Sequence, residues 1–401
     1  MSFILQLKDD MPAFRMALRQ WLARECPSAQ DIAAMDAASG VDHVAYEEAQ
    51  RSWMAKLDSV GLATPHWPAE YGGAGLSLQH QIVIADEMAR ANAPRLMMFL
   101  ISLNHIPATL LAWGTEEQKA RYLPGVAKGD VWCQGFSEPG SGSDLASLRT
   151  RAVRDGDNYV VNGQKLWSSQ AMHAKRCILL ARTDPQARKQ AGISYFVLDM
   201  QTPGVQVRPI RQATGRSEFA EVFLDDVVIP VTDRIGEENK GWQVAQTTLA
   251  SERGLIVFED AERMRYQMET FQRHAQRTSA AWLRDDQLRR EFMRFLMRLQ
   301  SLRRAVSDLL RHNDESLNAP TIAPSVIKVA SSSLFQEYAS FRTRIAGVAG
   351  HSLVESPGDP RDANGVPMRD YIESFGNTIA GGSNEIQLNI IAERGLGMPR
   401  G

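Results

Sequence analysis

The spacing of apolar residues changes character twice along this chain of 401 residues, and that double switch restricts the fold more than any other feature. Before about residue 131, apolar positions recur at helical spacing over 10–25, 42–60, 79–92 and 98–113, interrupted by a Pro- and Gly-rich loop, ATPHWPAEYGGAGLS, at 63–77. In the first stretch Asp10 reads as an N-cap, Pro12 falls in the first turn, and Phe14, Ala17, Leu18 and Trp21 share one face. From about 131 the pattern becomes short β-branched runs with turn punctuation: TRAV, YVVNGQKLW, CILLART, ISYFVLDM, VQVRPI and EFAEVFLDDVVIP. Asn162-Gly163 predicts a type I′ hairpin turn. Helical period resumes at Gly241-Trp242 and runs nearly to the C-terminus, with breaks at 318–324 and 355–367. The expected organisation is a helical domain over 1–130, a small β domain over 131–235 and a helical bundle over 236–401.

Several function classes are disfavoured by composition. A net charge of −2 gives no general attraction to phosphate backbones or anionic lipid. Arg290, Arg294 and Arg298 recur at helical spacing, but Asp285, Asp286 and Glu291 are interleaved, so the stripe reads as a solvated helix face. Neither nucleic acid nor a membrane span is expected, since no stretch approaches the roughly 20 apolar residues a span needs. The N-terminus MSFILQLKDD lacks the features of a secretory signal, and the three cysteines, Cys26, Cys133 and Cys177, are too few and scattered for a disulfide framework. A cytoplasmic, reducing setting is expected. The eight histidines never fall three or four apart, so no zinc-binding helix, and no metal site, is predicted.

Four segments could carry chemistry. FSEPGSGSDL, at 136–145, combines Gly140 and Gly142 with the hydroxyls of Ser137, Ser141 and Ser143; it suits a polar planar ring or a phosphate, or is simply a turn. Trp167-Ser168-Ser169 ends a strand, with Trp167 either a core residue or a ligand-facing aromatic. In IAGGSNEIQLNIIAERGLG, Gly381-Gly382 precede the N-cap Ser383, apolar Ile386, Ile390 and Ile391 follow, and Arg394 with Gly395 at C′ would close the helix. Its start would present N–H groups to an anion or carbonyl oxygen, unless it is an ordinary capped helix. In LASERGLIVF, Glu252 has Leu249, Thr248, Leu255 and Ile256 at helical neighbour positions, and Arg253 has Ala250, Leu249, Ile256 and Val257. Neither charge can form the usual pair along a helix. A carboxylate on an apolar stripe has its anion destabilised, which raises its pKa and makes it a competent base; a buried ion pair kept for packing is the other reading.

Taken in order, FSEPGSGSDL, GQKLWSS, EFAEVFLDDVVIP with GWQVAQTTLASER, and IAGGSNEIQLNIIAERGLGMPR resemble the acyl-CoA dehydrogenase family, over roughly 60–255 and 340–400. The resemblance implies an α+β multidomain fold: an N-terminal α-helical domain, a central β-barrel-like domain and a C-terminal four-helix bundle. FAD is the implied cofactor. By the same resemblance Phe136, Ser137, Gly142 and Ser143 meet the flavin pyrimidine edge, with Ser143 also at the thioester, and Trp167 and Ser169 lie against the isoalloxazine ring. Ser383 and Glu385 would reach the FAD diphosphate and ribose of a neighbouring subunit, which requires a homodimer or homotetramer, or a heteromer.

The family removes an α-proton from an acyl-CoA with a carboxylate while hydride leaves the β-carbon for flavin N5. Many members carry that base directly before the Gly of the C-terminal motif, where this chain has Gly381. Others carry it as a glutamate before an arginine on the helix after the β domain, and Glu252-Arg253 matches them. Arg253 would then lie near the CoA end or steady the base, and the Gly381 N–H would polarise the thioester oxygen. Electrons are expected to pass to an electron-transfer flavoprotein. One departure is MRYQMETFQRHAQRTSAAW, which lacks the Arg and Phe-Gly that grip FAD in many members. Acyl-CoA oxidases and flavin monooxygenases share the fold, and a non-catalytic subunit of a heteromer is the remaining class; such a subunit would be expected to have lost its base or flavin loop, and both are present. The acyl chain is not specified by these motifs.

Overall fold

The computed structural model describes residues 2–251, 255–313, 322–353 and 366–399. Six helices come first: α1 (Met11–Glu25), α2 (Ala29–Ala38), α3 (His43–Ser59), α4 (Leu78–Arg90), α5 (Ile106–Trp113) and α6 (Glu116–Ala127). α1 begins as expected, with the Asp10 carboxylate accepting the Ala13 N–H at 3.1 Å and Phe14, Ala17, Leu18 and Trp21 buried. α2 and α6 were not foreseen from periodicity. Each opens on a capping box, Ser28 with Asp31 and Thr115 with Gln118, so their starts are written in two residues rather than in an apolar stripe. The predicted helix over 98–113 is interrupted by a 3-10 turn at Met97–Phe99 and a π turn at Ile101–His105 before α5. Ser102 in that π turn is fully buried, and its hydroxyl accepts the Trp132 N–H at 2.9 Å.

Eight strands follow: β1 (Trp132–Gly135), β2 (Arg151–Asp155), β3 (Asn158–Ser169), β4 (Arg176–Arg182), β5 (Ile193–Asp199), β6 (Val205–Ile210), β7 (Phe219–Pro230) and β8 (Arg234–Ile235). They form one sheet in the order β6-β7-β3-β2-β4-β5-β8, with β1 running parallel to β4 at its side. Tyr159, Val161, Leu179, Phe196, Leu198, Val222 and Val227 pack its core. The expected hairpin turn at Asn162-Gly163 is not there. β2 and β3 pair from Asp155 opposite Asn158 onward, so the chain reverses at Gly156-Asp157, and Asn162-Gly163 lies inside β3 where its register with β7 slips. Gly163 serves close approach instead, since a Cβ there would stand 2.7 Å from Thr150 Cα.

The remaining helices are α7 (Gly241–Ser251), α8 (Leu255–Arg277), α9 (Asp286–Asn313), α10 (Ala323–Ile345), α11 (Pro367–Ile379) and α12 (Asn384–Ile390). Two compact units result: Met1–Gln81 with Pro94–Glu252, and Ile82–Ala93 with Arg253–Gly401. Within the first, Thr248 on α7 hydrogen-bonds Thr109 on α5 at 2.7 Å and Tyr195 on β5 at 3.1 Å. Within the second, α8 to α11 form the bundle, around Phe271, Trp282, Phe292, Phe295, Tyr338 and Phe341. Glu262 is buried there between Arg265 at 2.7 Å and Arg303 at 2.6 Å. No helix among the described residues is long and apolar enough to cross a membrane.

Candidate active site

β3 builds one wall of the site by breaking its own regularity. Its register with β7 holds to Lys165 opposite Val222, slips, and resumes at Ser168 opposite Ala220 and Ser169 opposite Phe219. The slip turns Trp167 outward with φ at 61°; the residue is 54% exposed, its ring edge-on to Phe219 at 6.0 Å. Trp167 is therefore not a core residue. A bulky side chain in the left-handed region is strained, and such strain collects at ligand sites. Ser168, by contrast, falls inside, wholly buried, with no hydrogen-bond partner for its hydroxyl among the described residues.

The loop after β1 lies alongside. The Ser137 carbonyl accepts the Leu166 N–H at 2.8 Å, tying the loop to β3 one residue before Trp167. Phe136 turns its ring inward, edge-on to Tyr195 at 5.8 Å. Glu138 and Ser141 exchange two backbone bonds at 3.1 and 3.0 Å across the Pro139-Gly140 turn, beyond which Gly142 and Ser143 are exposed. A Cβ on Gly140 or Gly142 would meet nothing within 4 Å, so both glycines face open space.

Two residues beneath this surface were missed in the sequence. Lys165, fully buried, donates to Glu138 at 2.8 Å and to the Phe136 carbonyl at 3.2 Å. The Glu138 carboxylate also accepts the Arg149 N–H at 2.6 Å and the Thr150 N–H at 2.8 Å. Burial opposes ionisation of Glu138, but the Lys165 ammonium and these hydrogen bonds outweigh it and hold the carboxyl below its ordinary range. Burial pulls the Lys165 ammonium down in turn, against the pull of Glu138. Strand alternation carried the signal: Tyr159, Val161, Gly163 and Lys165 share one face, and a lysine on an apolar face demands a buried acid.

The C-terminal motif is built differently. Gly381 and Gly382 follow α11 with φ at 65° and 89°, values that suit glycine. Ser383 caps α12, its hydroxyl accepting the Ile386 N–H at 3.4 Å, while Ser332 of α10 donates to Asn384 at 2.8 Å. Glu385 is exposed, and bonds from its own backbone N–H and from Ser383 lower its pKa. Gly395 does not occupy C′ as expected: α12 continues into a π turn at Ile391–Gly395, where a Cβ on Gly395 would stand 2.6 Å from Ile322 Cδ1. Close packing, not a left-handed stop, explains that glycine. Glu252 and Arg253 lie outside the described residues.

The structure thus gathers Phe136, Ser137, Gly142, Ser143, Trp167 and Ser169 around one bulge and one loop, and Gly381, Ser383 and Glu385 around one turn. An exposed, strained indole beside hydroxyls and open glycines fits the flat, polar-edged ring of a flavin.

Comparison with known proteins identifies the family. Models of the acyl-CoA dehydrogenase N-terminal, middle and C-terminal domains match residues 8–130, 133–227 and 239–396. The acyl-CoA dehydrogenase IpdE1 of Mycobacterium tuberculosis is 38% identical over 98% of this chain and 99% of its own length. Among solved structures, the Tcur3481-Tcur3483 steroid ACAD superimposes with a TM-score of 0.84 at 31% identity, covering 97% of this chain and 98% of its own. The ChsE4-ChsE5 complex from Mycobacterium tuberculosis gives 0.80 at 31% identity, over 96% and 97%. The chain belongs to the acyl-CoA dehydrogenase family, flavoprotein oxidoreductases acting on CH–CH groups, with the helical, β and helical domains of that family.

Proposed function

We propose that this chain binds FAD and desaturates an acyl-CoA thioester to its trans-2-enoyl-CoA, with Glu252 as the base that removes the α-proton. Trp167 carries the reading: a half-exposed indole held at φ 61° on a bulge, in a chain of this family, is the feature a flavin ring would use. Phe136, Ser137, Gly142 and Ser143 would hold the pyrimidine edge, Trp167 and Ser169 the ring face, and Ser383 with Glu385 the diphosphate and ribose from a neighbouring subunit. When bound, FAD supplies the hydride acceptor at N5. The chain's own residues do the rest. Glu252, on an apolar stripe, takes the α-proton; the Gly381 N–H polarises the thioester oxygen and acidifies that proton; Arg253 steadies the base or meets the CoA end. The reduced enzyme would hand electrons to an electron-transfer flavoprotein in the cytoplasm, and the domain division would follow 1–130, 131–235 and 236–401.

The likeness to a steroid ACAD favours a bulky, ring-bearing acyl group over a short straight chain. Two of the solved relatives are named as pairs of different chains, which favours a heteromer with a homologous subunit over a homo-oligomer. The test is Glu252→Gln. The variant should fold and retain flavin, yet flavin bleaching by acyl-CoA under anaerobic conditions should slow by roughly a hundredfold or more. Bleaching at the wild-type rate would remove Glu252 from the mechanism, and a panel of straight-chain and steroid-derived thioesters read in the same assay would identify the acyl group.

A further inference from the structure

Resting on the flavin site proposed above, we infer that the buried ion pair of Glu138 and Lys165 positions that site, fixing the Ser137–Ser143 loop against the Trp167 bulge. The pair joins three separate pieces of chain. Lys165 belongs to β3, two residues before Trp167, and Glu138 belongs to the loop, between Ser137 and Gly142. Glu138 further binds the backbone N–H groups of Arg149 and Thr150, at 2.6 and 2.8 Å, as the chain enters β2. Lys165 adds the Phe136 carbonyl at 3.2 Å, and Leu166 next to it binds the Ser137 carbonyl at 2.8 Å.

Stability alone is a poor reason for such an arrangement, because apolar residues of similar volume often match or exceed a buried ion pair. What apolar residues lack is direction. A methionine and a leucine would fill the space but would not hold the loop in register with the bulge, whereas four hydrogen bonds to one carboxylate and one ammonium fix both lips of the surface at once. Lys165 is also the last β3 residue in register before the slip that throws Trp167 outward, so the anchor sits where the strain begins. Both are positioning residues, acting through Trp167 and the loop rather than on substrate.

The experiment compares the full-length chain, in the assembly in which it purifies, with Glu138→Gln, Lys165→Met and the double variant. Each is stripped of flavin, checked for folding by circular dichroism, and titrated with FAD by fluorescence. Each folded single variant should bind FAD about tenfold more weakly or worse, with a blurred visible flavin spectrum. The double variant should lose less than the product of the two single losses, because removing both charges leaves neither one stranded. Folded single variants that bind FAD within about twofold of the unaltered chain, whatever their melting temperatures, would overturn the inference. If the variants do not fold, hydrogen exchange of the unaltered protein decides. FAD should slow exchange at Arg149 and Thr150 together with Leu166, and protection confined to 166–169 would overturn the inference. A wild-type chain that takes up no FAD would instead sink the flavin-site reading on which the inference rests.

Discussion

Two segments proposed to hold the cofactor, one in each compact unit, are built in opposite ways. On the β3 side, a buried ion pair, paired backbone bonds and a sheet over-determine the loop, strongly enough to keep Trp167 at φ 61°. At the C-terminal turn, two glycines lead into a seven-residue helix capped by one bond of 3.4 Å, and the amide oxygen of Gln387, buried below it, has no hydrogen-bond partner among the described residues. The first is finished by its own domain. The second is held by fewer contacts of its own. Rigid scaffolds can store strain for a ligand; lightly held turns adapt to one.

The same residue type occurs in both halves and should behave differently. Glu138→Ala would leave the Lys165 ammonium buried without its acid and the Arg149 and Thr150 N–H groups without acceptors. A loss of about 3–5 kcal/mol is expected, read as a lower urea midpoint. Glu385→Ala, at an exposed carboxylate, should leave that midpoint unchanged. Equal shifts for the two would dissolve the contrast.

Acid should find the strand side first. His105, in the π turn whose Ser102 holds β1, has its pKa pulled by burial to about 4, against a hydrogen bond with Gln134 that raises it. Because the folded value lies below the unfolded 6.5, the unfolded chain takes up this proton first as pH falls. Its contribution is complete above about pH 6.5 and is lost progressively towards pH 4, up to roughly 3 kcal/mol. Unfolding measured at intervals across that window should show the decline, and His105→Gln should flatten it.

Much of the fold behind this contrast is legible in the sequence, and the gaps have physical causes. Amphipathic helices such as α1 declare themselves because one face must be buried. α2 and α6 did not, since their starts are signed by capping pairs and little of α2 is buried. Asn162-Gly163 misled because close approach to Thr150 and a tight turn ask for the same glycine. Of the candidate site, the loop and the Gly-Gly-Ser turn stand out by their glycine-rich makeup, whereas the role of Trp167 rests on the family resemblance. Glu138 and Lys165 were not, because a charge reads as surface until strand alternation is applied to it. The register slip that exposes Trp167 depends on β7, far away in sequence, and no local pattern contains it.

Strain at Trp167 gives a smaller, two-sided test. Asparagine tolerates the left-handed region better than a bulky residue, and the indole is only about half buried. Trp167→Asn should therefore leave stability unchanged or raise it by about 1 kcal/mol, while FAD binding weakens. A variant that loses stability and keeps its FAD affinity would show that the indole serves packing.

The smallest effect is expected where the structure invests least. Ser383→Ala removes the one side-chain cap of α12, and capping serines typically contribute about 0.5–2 kcal/mol. At 3.4 Å the bond to Ile386 is long, and the Ser332–Asn384 bond continues to hold the turn to α10, so the loss should fall near the low end, about 0.5 kcal/mol. If the hydroxyl instead faces the cofactor of a neighbouring subunit, FAD affinity of the assembly should fall by more than the melting temperature would suggest. Measuring both on one preparation separates a cap from a contact: a stability loss as large as that of Glu138→Ala would mean that this turn, too, is fixed by its own domain.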